Sequence, residues 1–148
     1  MKLTAAEISS RPWLAALLTQ PVLARLATAN PTTLQPHVVP VWFEWDGEAV
    51  WISSFDSTRK MRDLEGNPRV SIAIDTADDA EHIRGVVFEG TAEVISDPAV
   101  VALRSTSIYV RYLGEEGARK PDPASWIVDP ENRIIRLAPQ RIYIWGEG

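Results

Sequence analysis

One ten-residue segment, residues 51–60, combines side chains that could bind an anion. Four hydroxyl groups precede two adjacent cations in it: Ser53, Ser54, Ser57 and Thr58, then Arg59 and Lys60. The cations fall where a helix is predicted to begin, and the free N–H groups and dipole of a helix N-terminus favour an anion. An arginine can also donate to two phosphate oxygens at once. The alternative is a helix cap followed by an exposed basic turn, and spacing alone does not decide between the two.

The rest of the chain lacks most residue types and motifs that carry out catalysis. There are no cysteines, which excludes disulfides, thiolate metal sites and a cysteine nucleophile. The sequence contains no phosphate-binding Gly-rich loop, dinucleotide fingerprint or serine elbow. The run from Asp78 to His82 could bind a metal weakly, but such runs are more typical of a solvated turn. We therefore predict no metal site, and we identify no catalytic residue.

Composition predicts one soluble domain spanning residues 1–148. Its 45% hydrophobic and 24% charged residues are typical of a globular chain, and 148 residues suit a single domain. The net charge of -5 disfavours a nucleic-acid partner, because phosphate neutralisation by cations supplies most of that affinity. No apolar run approaches the ~20 residues that span a bilayer, and the N-terminus lacks the profile of a signal peptide. We expect a cytoplasmic protein that binds neither nucleic acid nor a membrane.

Helix signals occur at four places. Thr4 and Glu7 fit a capping box, so a short helix is predicted near Ala5. Pro12 suits the first turn of a second helix, which runs through Leu18. Cap and stop residues predict two more: a two-turn helix that follows the hydroxyl-rich turn and ends at residue 66, and a helix over residues 98–114 followed by a polar loop over residues 115–125.

Strand signals dominate the remainder. Branched, aromatic or alternating apolar residues predict strands over residues 22–28, 37–45, 49–54, 69–76, 86–95, 133–138 and 140–145. Asp46-Gly47 predicts a tight turn that joins the second and third of these in a hairpin. Pro40 cannot donate to a strand ladder, so its strand should lie at a sheet edge or bend there. About six strands in hairpin order with short helices predict a mainly β protein built as a closed or nearly closed antiparallel barrel.

Two finer expectations concern single segments. The strand over residues 86–95 should turn Phe88, Gly90, Ala92 and Val94 inward, and Gly90 should mark a bulge or a close approach of two backbones. A brief strand pairing is expected over residues 126–128.

Tryptophan is unusually frequent in a chain of this size. The six are Trp13, Trp42, Trp45, Trp51, Trp126 and Trp145. Their rings supply large buried area, so they could fill the interior of a small barrel. Alternatively, some of them could line a site for a flat ligand or a subunit interface.

The order of several motifs resembles the pyridoxamine 5'-phosphate oxidase-like, flavin-binding split-barrel family. The similarity runs from about Leu23 to Trp145. It rests on five groups of residues: Leu26-Ala27-Thr28; Pro36-His37-Val38-Val39-Pro40-Val41; Ser57-Thr58-Arg59-Lys60 with Leu64 and Asn67-Pro68-Arg69-Val70-Ser71; Glu89-Gly90-Thr91-Ala92; and Arg136-Leu137-Ala138-Pro139 with Ile142 and Trp145. The resemblance implies a six-stranded antiparallel split β-barrel with short peripheral helices.

The resemblance also implies a homodimer with two cofactor sites at its interface. The residues that it assigns to the cofactor are Val39, Pro40, Val41, Trp42, Ser53, Ser54, Ser57, Thr58, Arg59, Lys60 and Trp145. Within this set, Ser53 or Ser54 would contact the cofactor, and the adjacent cations would hold its phosphate. The backbone of residues 39–42 would lie along the flavin ring, with an aromatic wall such as Trp42 to stack a substrate. Trp145 would approach from the partner subunit.

Two departures from the family's pattern and one further motif narrow the range of activities that the resemblance implies. Members that oxidise pyridoxamine phosphate carry an extra arginine and lysine on the second strand, where this chain has Val39 and Phe43. They also continue past the final tryptophan into a basic tail, whereas this sequence reads Gly146-Glu147-Gly148 there. We therefore do not expect vitamin B6 oxidation. Tyr112-Leu113-Gly114 after a helix is similar to the branch that includes deazaflavin-dependent reductases.

Taken with the anion-binding segment, the resemblance predicts an oxidoreductase. The cofactor would be FMN or the deazaflavin coenzyme F420, and it would transfer hydride or electrons to a small, flat organic substrate. One alternative is a module that holds haem, a tetrapyrrole or a flavin without turnover, for which only His37 and His82 could ligate haem iron through imidazole. Another is an interaction protein that uses its tryptophan-rich surface and binds no cofactor.

Overall fold

Two antiparallel sheets form the body of the molecule in the computed structural model, which describes residues 2–77 and 82–146. Over this part of the chain the strands are β1 (Lys2–Leu3), β2 (Ala24–Ala29), β3 (Pro36–Val41), β4 (Glu44–Trp45), β5 (Val50–Phe55), β6 (Arg69–Ala77), β7 (Ile83–Thr91), β8 (Glu93–Ile95), β9 (Asn132–Leu137) and β10 (Arg141–Trp145). A six-stranded sheet has the order β1-β10-β7-β6-β2-β3, and a four-stranded sheet has the order β4-β5-β9-β8. The sheets do not close on each other, so the structure is a split barrel, as predicted.

Five helices accompany these strands: α1 (Ala5–Ile8), α2 (Pro12–Thr19), α3 (Arg59–Gly66), α4 (Pro98–Ala118) and α5 (Pro121–Ile127). The predicted capping box is present at α1, where the Glu7 carboxylate accepts from the backbone N–H of Thr4 at 2.6 Å. Gly114 has a φ of 75 degrees and interrupts α4, which confirms the predicted stop at this residue.

The predicted loop over residues 115–125 is wrong, as is the strand pairing over residues 126–128. The chain resumes helical geometry after Gly114, and α5 then occupies most of the remaining segment. Pro121 stands in the first turn of α5, where the missing N–H leaves no helical hydrogen bond unmade. Pro121 and Pro123 are typical of a loop when read from the sequence alone, but Pro121 begins a helix.

The predicted strand over residues 37–45 is broken in two. β3 pairs with β2 in the large sheet, whereas β4 pairs with β5 in the small one. Between them, the backbone of Phe43 bonds to α4 instead of to a strand. Its N–H donates to the Tyr112 hydroxyl at 3.1 Å, and its carbonyl accepts from Nε of Arg111 at 2.9 Å. These side chains satisfy the backbone where the chain crosses between sheets, and local sequence patterns contain no sign of them.

Replacing Tyr112 by phenylalanine should destabilise the fold. The hydroxyl also donates to the carbonyl of Val22 at 2.7 Å, so its loss leaves a donor and an acceptor without this partner. We expect the free energy of unfolding to fall by about 1–3 kcal/mol, measured by urea titration. Tyr109→Phe is the matched control on the same helix, because that hydroxyl has only a 3.5 Å contact with Ser53. An equal loss in both variants would contradict this assignment.

The predicted strand over residues 86–95 also divides between the sheets. At the crossing, the Ala92 N–H donates to the carbonyl of Pro68 at 2.8 Å. Val94 then pairs with Ile135 in the small sheet and is 43% exposed, so its predicted inward orientation is wrong. The close backbone approach predicted at Gly90 is confirmed, because a Cβ there would lie 3.2 Å from the backbone N of Gln140.

Two apolar clusters hold these elements together. The first lies between the sheets and includes Leu26, Ile52, Ile72, Phe88 and Ile135. The second lies between the small sheet and α4 and includes Trp51, Ile108, Tyr109 and Ile134. Trp45 stacks on Phe88 with ring centroids 5.0 Å apart. Trp45 and Trp51 therefore serve as interior filling, whereas Trp126 and Trp145 remain 38% and 40% exposed.

The opposite face of the six-stranded sheet contributes to neither cluster among the described residues. We call it the outer face. Strand register and alternation assign to it Arg25, Ala27, Val38, Pro40, Ser71, Ala73, Val87, Glu89, Arg141, Tyr143 and Trp145. Its centre carries small or apolar side chains, and Arg25 forms an ion pair with Asp75 on it. A half-apolar sheet face of this extent is suited to covering by another surface.

Candidate functional site

The N-terminus of α3 is an uncapped helix end. Thr58 occupies the N-cap position, but its side chain makes no capping hydrogen bond. Its hydroxyl instead donates to the carbonyl of Phe55 at 3.0 Å and lies 3.3 Å from the hydroxyl of Ser54. The first N–H groups of the helix therefore have no side-chain acceptor, and the helix dipole adds partial positive charge there.

Arg59 and Lys60 extend from this helix end without counter-ions. Neither has an ion-pair or hydrogen-bond partner among residues 2–77 and 82–146, whereas Arg25, Arg104 and Arg133 each pair with an aspartate. Arg59 is exposed, and Lys60 is partly buried. Burial lowers the pKa of Lys60 below its ordinary value of 10.5, because desolvation disfavours the ammonium ion. A partly buried cation without a counter-charge is a position that an anion would stabilise.

The two serines at the end of β5 face opposite sides of the small sheet. Ser53 points towards α4, where its hydroxyl donates to Oδ1 of Asn132 at 2.9 Å and lies 3.3 Å from that of Ser105. Ser54 lies on the other face, and its hydroxyl is 3.3 Å from Thr58 beside the helix end. Of the two alternatives, only Ser54 is placed with the cations.

The turn that contains Ser57 is hydrogen-bonded to Glu131, the residue that precedes β9. The Ser57 hydroxyl donates to Oε2 of Glu131 at 3.3 Å, and its carbonyl accepts from Nη1 of Arg62 at 3.0 Å. The N–H of Asp56 donates to the carbonyl of Glu131 at 2.9 Å. These bonds fix the backbone that leads into α3, which makes Ser57 a structural residue of the turn in this chain.

Residues 39–41 lie in β3 at the edge of the large sheet, as Pro40 predicted, and Trp42 follows the end of that strand. Val39 packs against the interior cluster and Val41 belongs to it, whereas Pro40 turns to the outer face. An edge strand keeps backbone groups that are not paired in the sheet. The ring of Trp42 stacks on Tyr112 with centroids 4.8 Å apart, so it packs under α4 instead of forming an open wall.

Trp145 is remote from the other predicted residues within one chain. It lies on β10, and four strand spacings separate β10 from β3 in the large sheet. At about 4.8 Å per spacing, the two strands are roughly 19 Å apart. The Trp145 ring rests on Gly85, where a Cβ would lie 2.3 Å from Cη2 of the indole. Within one chain, Trp145 and β3 therefore lie towards opposite edges of the large sheet, separated by β7, β6 and β2.

A cavity of about 280 Å³ opens beside α3, but it belongs to the flank of the helix. Its lining residues are Asp56, Met61, Arg62, Glu65 and Val94. Arg59 and Lys60 do not line it, so this cavity does not supply a wall opposite the two cations.

The described residues contain neither a candidate metal cluster nor a helix that could span a membrane. No cluster of three or more histidine, aspartate or glutamate side chains that could hold a metal occurs there. The acidic residues 78–81 of the weak metal candidate lie outside the described residues. No helix in residues 2–77 and 82–146 is long and apolar enough to cross a bilayer.

Several residues around α3 were missed by sequence reasoning. Thr28 and Asp63 are buried and hydrogen-bonded to each other although they are 35 positions apart in the sequence. Glu131, which precedes β9, accepts a hydrogen bond from Ser57 in the turn before α3. An aspartate beside Leu64 on a short amphipathic helix was the only available signal, and it does not identify a partner.

The chain belongs to the pyridoxamine 5'-phosphate oxidase family, whose sequence model matches residues 11–146. The split sheets, the short helices and the motif order agree with this assignment. A search of curated proteins returned no significant match.

Solved structures share the fold. A conserved hypothetical protein from Mycobacterium tuberculosis is 27% identical, with a TM-score of 0.77 over 98% of this chain and 89% of that one. An F420 reductase is 25% identical, with a TM-score of 0.69 over 89% of this chain and 95% of that one. A haem storage protein from Vibrio cholerae is 19% identical, with a TM-score of 0.72 over 91% and 92% of the two chains, a likeness of fold alone.

Proposed function

We propose that the protein binds a phosphorylated flavin-type cofactor, FMN or F420, at the N-terminus of α3. The observation that carries this proposal is the pair Arg59 and Lys60, two cations without counter-ions at an uncapped helix end. Full and partial positive charges there converge on a space that a phosphate group would occupy. The hydroxyls of Ser54 and Thr58 lie beside it, and each could donate to a phosphate by turning away from the Phe55 carbonyl that it now contacts.

The proposal extends to a homodimer. A second copy that covers the outer face would bury its apolar centre and could bring Trp145 of one chain to the edge strand of the other. The roughly 19 Å between these elements in a single chain supports a shared site. A cofactor ring between the subunits would also be shielded from water on both sides.

The proposed activity is hydride or electron transfer to a small organic substrate in the cytoplasm. The cofactor, when bound, supplies the redox chemistry. The chain's own residues bind and orient it: Arg59 and Lys60 hold the phosphate, and the free backbone edge of β3 can bond to polar atoms at the rim of the ring. The described residues assign no general acid, base or nucleophile. The 25% identity with an F420 reductase supports a reductase of this type.

Parallel calorimetric titrations of the purified protein with FMN, F420 and haem test the proposal. We expect saturable binding of FMN or F420 at one molecule per chain, with weaker binding of riboflavin, which has the same ring without the phosphate. Reduction of the bound cofactor by NAD(P)H would indicate a reductase. Binding of haem alone would favour the non-catalytic alternative, and binding of none would overturn the proposal.

The preference for FMN over riboflavin should fall at alkaline pH. The ammonium of Lys60 attracts the phosphate only while it is protonated, and its pKa in the free protein is below 10.5. The ratio of the two affinities should therefore decrease as pH rises through that lowered pKa. Burial of the ammonium also costs stability at neutral pH, and this cost is lost above the same pKa.

Lys60→Met is the control for this pH dependence. It should remove the alkaline decrease in the affinity ratio and leave the free protein at least as stable at neutral pH. An unchanged pH profile in this variant would show that another group titrates.

A further inference from the structure

A buried polar pair joins α3 to the large sheet. The Thr28 hydroxyl on β2 donates to Oδ2 of Asp63 on α3 at 2.8 Å, and each residue is 3% exposed. The neighbours of Thr28 on the same strand face, Leu26 and Ala24, belong to the apolar interior. Burying a carboxyl and a hydroxyl in such a region is costly unless they bond to each other. The pair therefore joins these two elements in one arrangement.

Two further contacts also hold the second half of α3 against β2 and the turn that follows β2. Nδ2 of Asn67 donates to the carbonyl of Ala29 at 3.3 Å. Gly66 lies against Pro31, so that a Cβ on the glycine would be 2.6 Å from Cγ of the proline. The end of α3 distant from the cations is thus seated on β2 and the turn that follows it.

The anion-binding end depends on this seating. Arg59 and Lys60 precede Asp63 by four and three positions, about one helical turn or roughly 5–6 Å along the axis. Thr58 does not cap the helix, so the hydrogen bonds nearest the tip hold the preceding turn and not the first helical N–H groups. The position of the tip relative to β3 and Ser54 is therefore set from two sides, by the bonded turn that precedes the helix and by the seating of the helix at Asp63.

We propose that Thr28 and Asp63 are positioning residues for the phosphoester of the cofactor, an inference that rests on the proposed function. The Thr28–Asp63 bond sets how deeply Lys60 sits and where the uncapped N–H groups point. A helix of only eight residues that loses this bond can shift or rotate by a fraction of an ångström, and charge-assisted hydrogen bonds lose strength quickly with such displacement.

The test measures FMN and riboflavin affinities of Thr28→Val by calorimetry. The variant keeps the size of the side chain and removes the donor. We expect FMN affinity to fall by about tenfold while riboflavin affinity stays within about twofold, since only the phosphate contacts move. Thr28→Ser restores the donor and should recover the FMN preference.

A matched control separates positioning from general destabilisation. Val101→Ala removes buried apolar volume in the second cluster, away from α3. It should lower stability without changing the ratio of FMN to riboflavin affinity. Should Thr28→Val fail to fold, Asp63→Glu keeps the carboxyl but lengthens it by one methylene, and it should lower the same ratio.

The possible results distinguish the positioning role of Thr28 and Asp63 from the proposed binding of a cofactor at α3. A wild-type protein that does not bind F420 and binds FMN no better than riboflavin overturns both. If F420 alone binds, the same variants are compared with the wild type for F420 affinity, and unchanged F420 affinity overturns the positioning role. A wild-type preference for FMN that survives Thr28→Val or Asp63→Glu unchanged overturns the positioning role alone. Equal losses of FMN and riboflavin affinity, as from a smaller folded fraction, would also reduce the pair to a structural contact.

Discussion

Replacing Arg59 and Lys60 together by alanine is expected to weaken FMN binding by about 100- to 10,000-fold. Hydrogen bonds to charged groups contribute about 1.5–3 kcal/mol each, and the double substitution removes the two that we assign to the phosphate. Riboflavin affinity should change little, because in the proposed site the phosphate, which riboflavin lacks, is the group held at the helix tip. Calorimetric titration of both ligands against the wild type and the variant measures the effect.

The chain contains a matched control for this experiment. Arg119 and Lys120 form the same adjacent pair of cations and lie between α4 and α5. Both are exposed, whereas Lys60 of the first pair is partly buried. Replacing both by alanine changes the net charge equally, so it tests whether loss of charge anywhere on the protein weakens FMN binding. Equal losses in the two double variants would remove the α3 tip from the site.

Placing a glutamate at the centre of the outer face is expected to dissociate the proposed dimer. Ala73 lies beside Arg25 in the sheet ladder, so the Ala73→Glu side chain has a favourable neighbour in the single chain. In a dimer packed through this face it would bury an additional carboxylate, because Arg25 is already paired with Asp75, at a cost of about 3–5 kcal/mol. The dimer dissociation constant should rise at least about 100-fold, measured by sedimentation, and FMN affinity should fall with it.

Leu103→Glu controls for a charge introduced elsewhere. Leu103 is 68% exposed on α4, remote from the outer face in the fold. This variant should remain dimeric and bind FMN as the wild type does. Dissociation by Leu103→Glu but not by Ala73→Glu would place the interface on α4 and contradict the shared site.

Local chemistry explains why some of these elements could be predicted from the sequence. The start and stop of α3 are set by residues within a few positions of one another, although the predicted cap at Thr58 makes no capping hydrogen bond. The capping box at α1 is likewise local. Pro40 lacks an N–H whatever it packs against, so β3 had to lie at an edge or bend. The alternation in β6 assigns one face to Val70, Ile72 and Ile74, and all three are buried.

Errors occurred where a distant side chain replaced a local partner. The strand over residues 37–45 divides because Arg111 and Tyr112, almost seventy positions away, take the hydrogen bonds of Phe43. A continuous apolar run contains no information about such a crossing between sheets. The same applies at Ala92, which bonds to Pro68 as the chain changes sheet.

For the candidate site, the sequence by itself determined the types and order of its groups: hydroxyls, then two adjacent cations at the start of a helix. Only the tertiary structure decided that Ser54 and not Ser53 joins them, that Asp63 seats the helix on Thr28, and that Trp145 lies far from β3 in the same chain. The physical reason is the distance over which each interaction acts. Capping and helix dipoles act within a turn, whereas the sheet face a serine occupies and the distance between two strands depend on pairing across the whole domain.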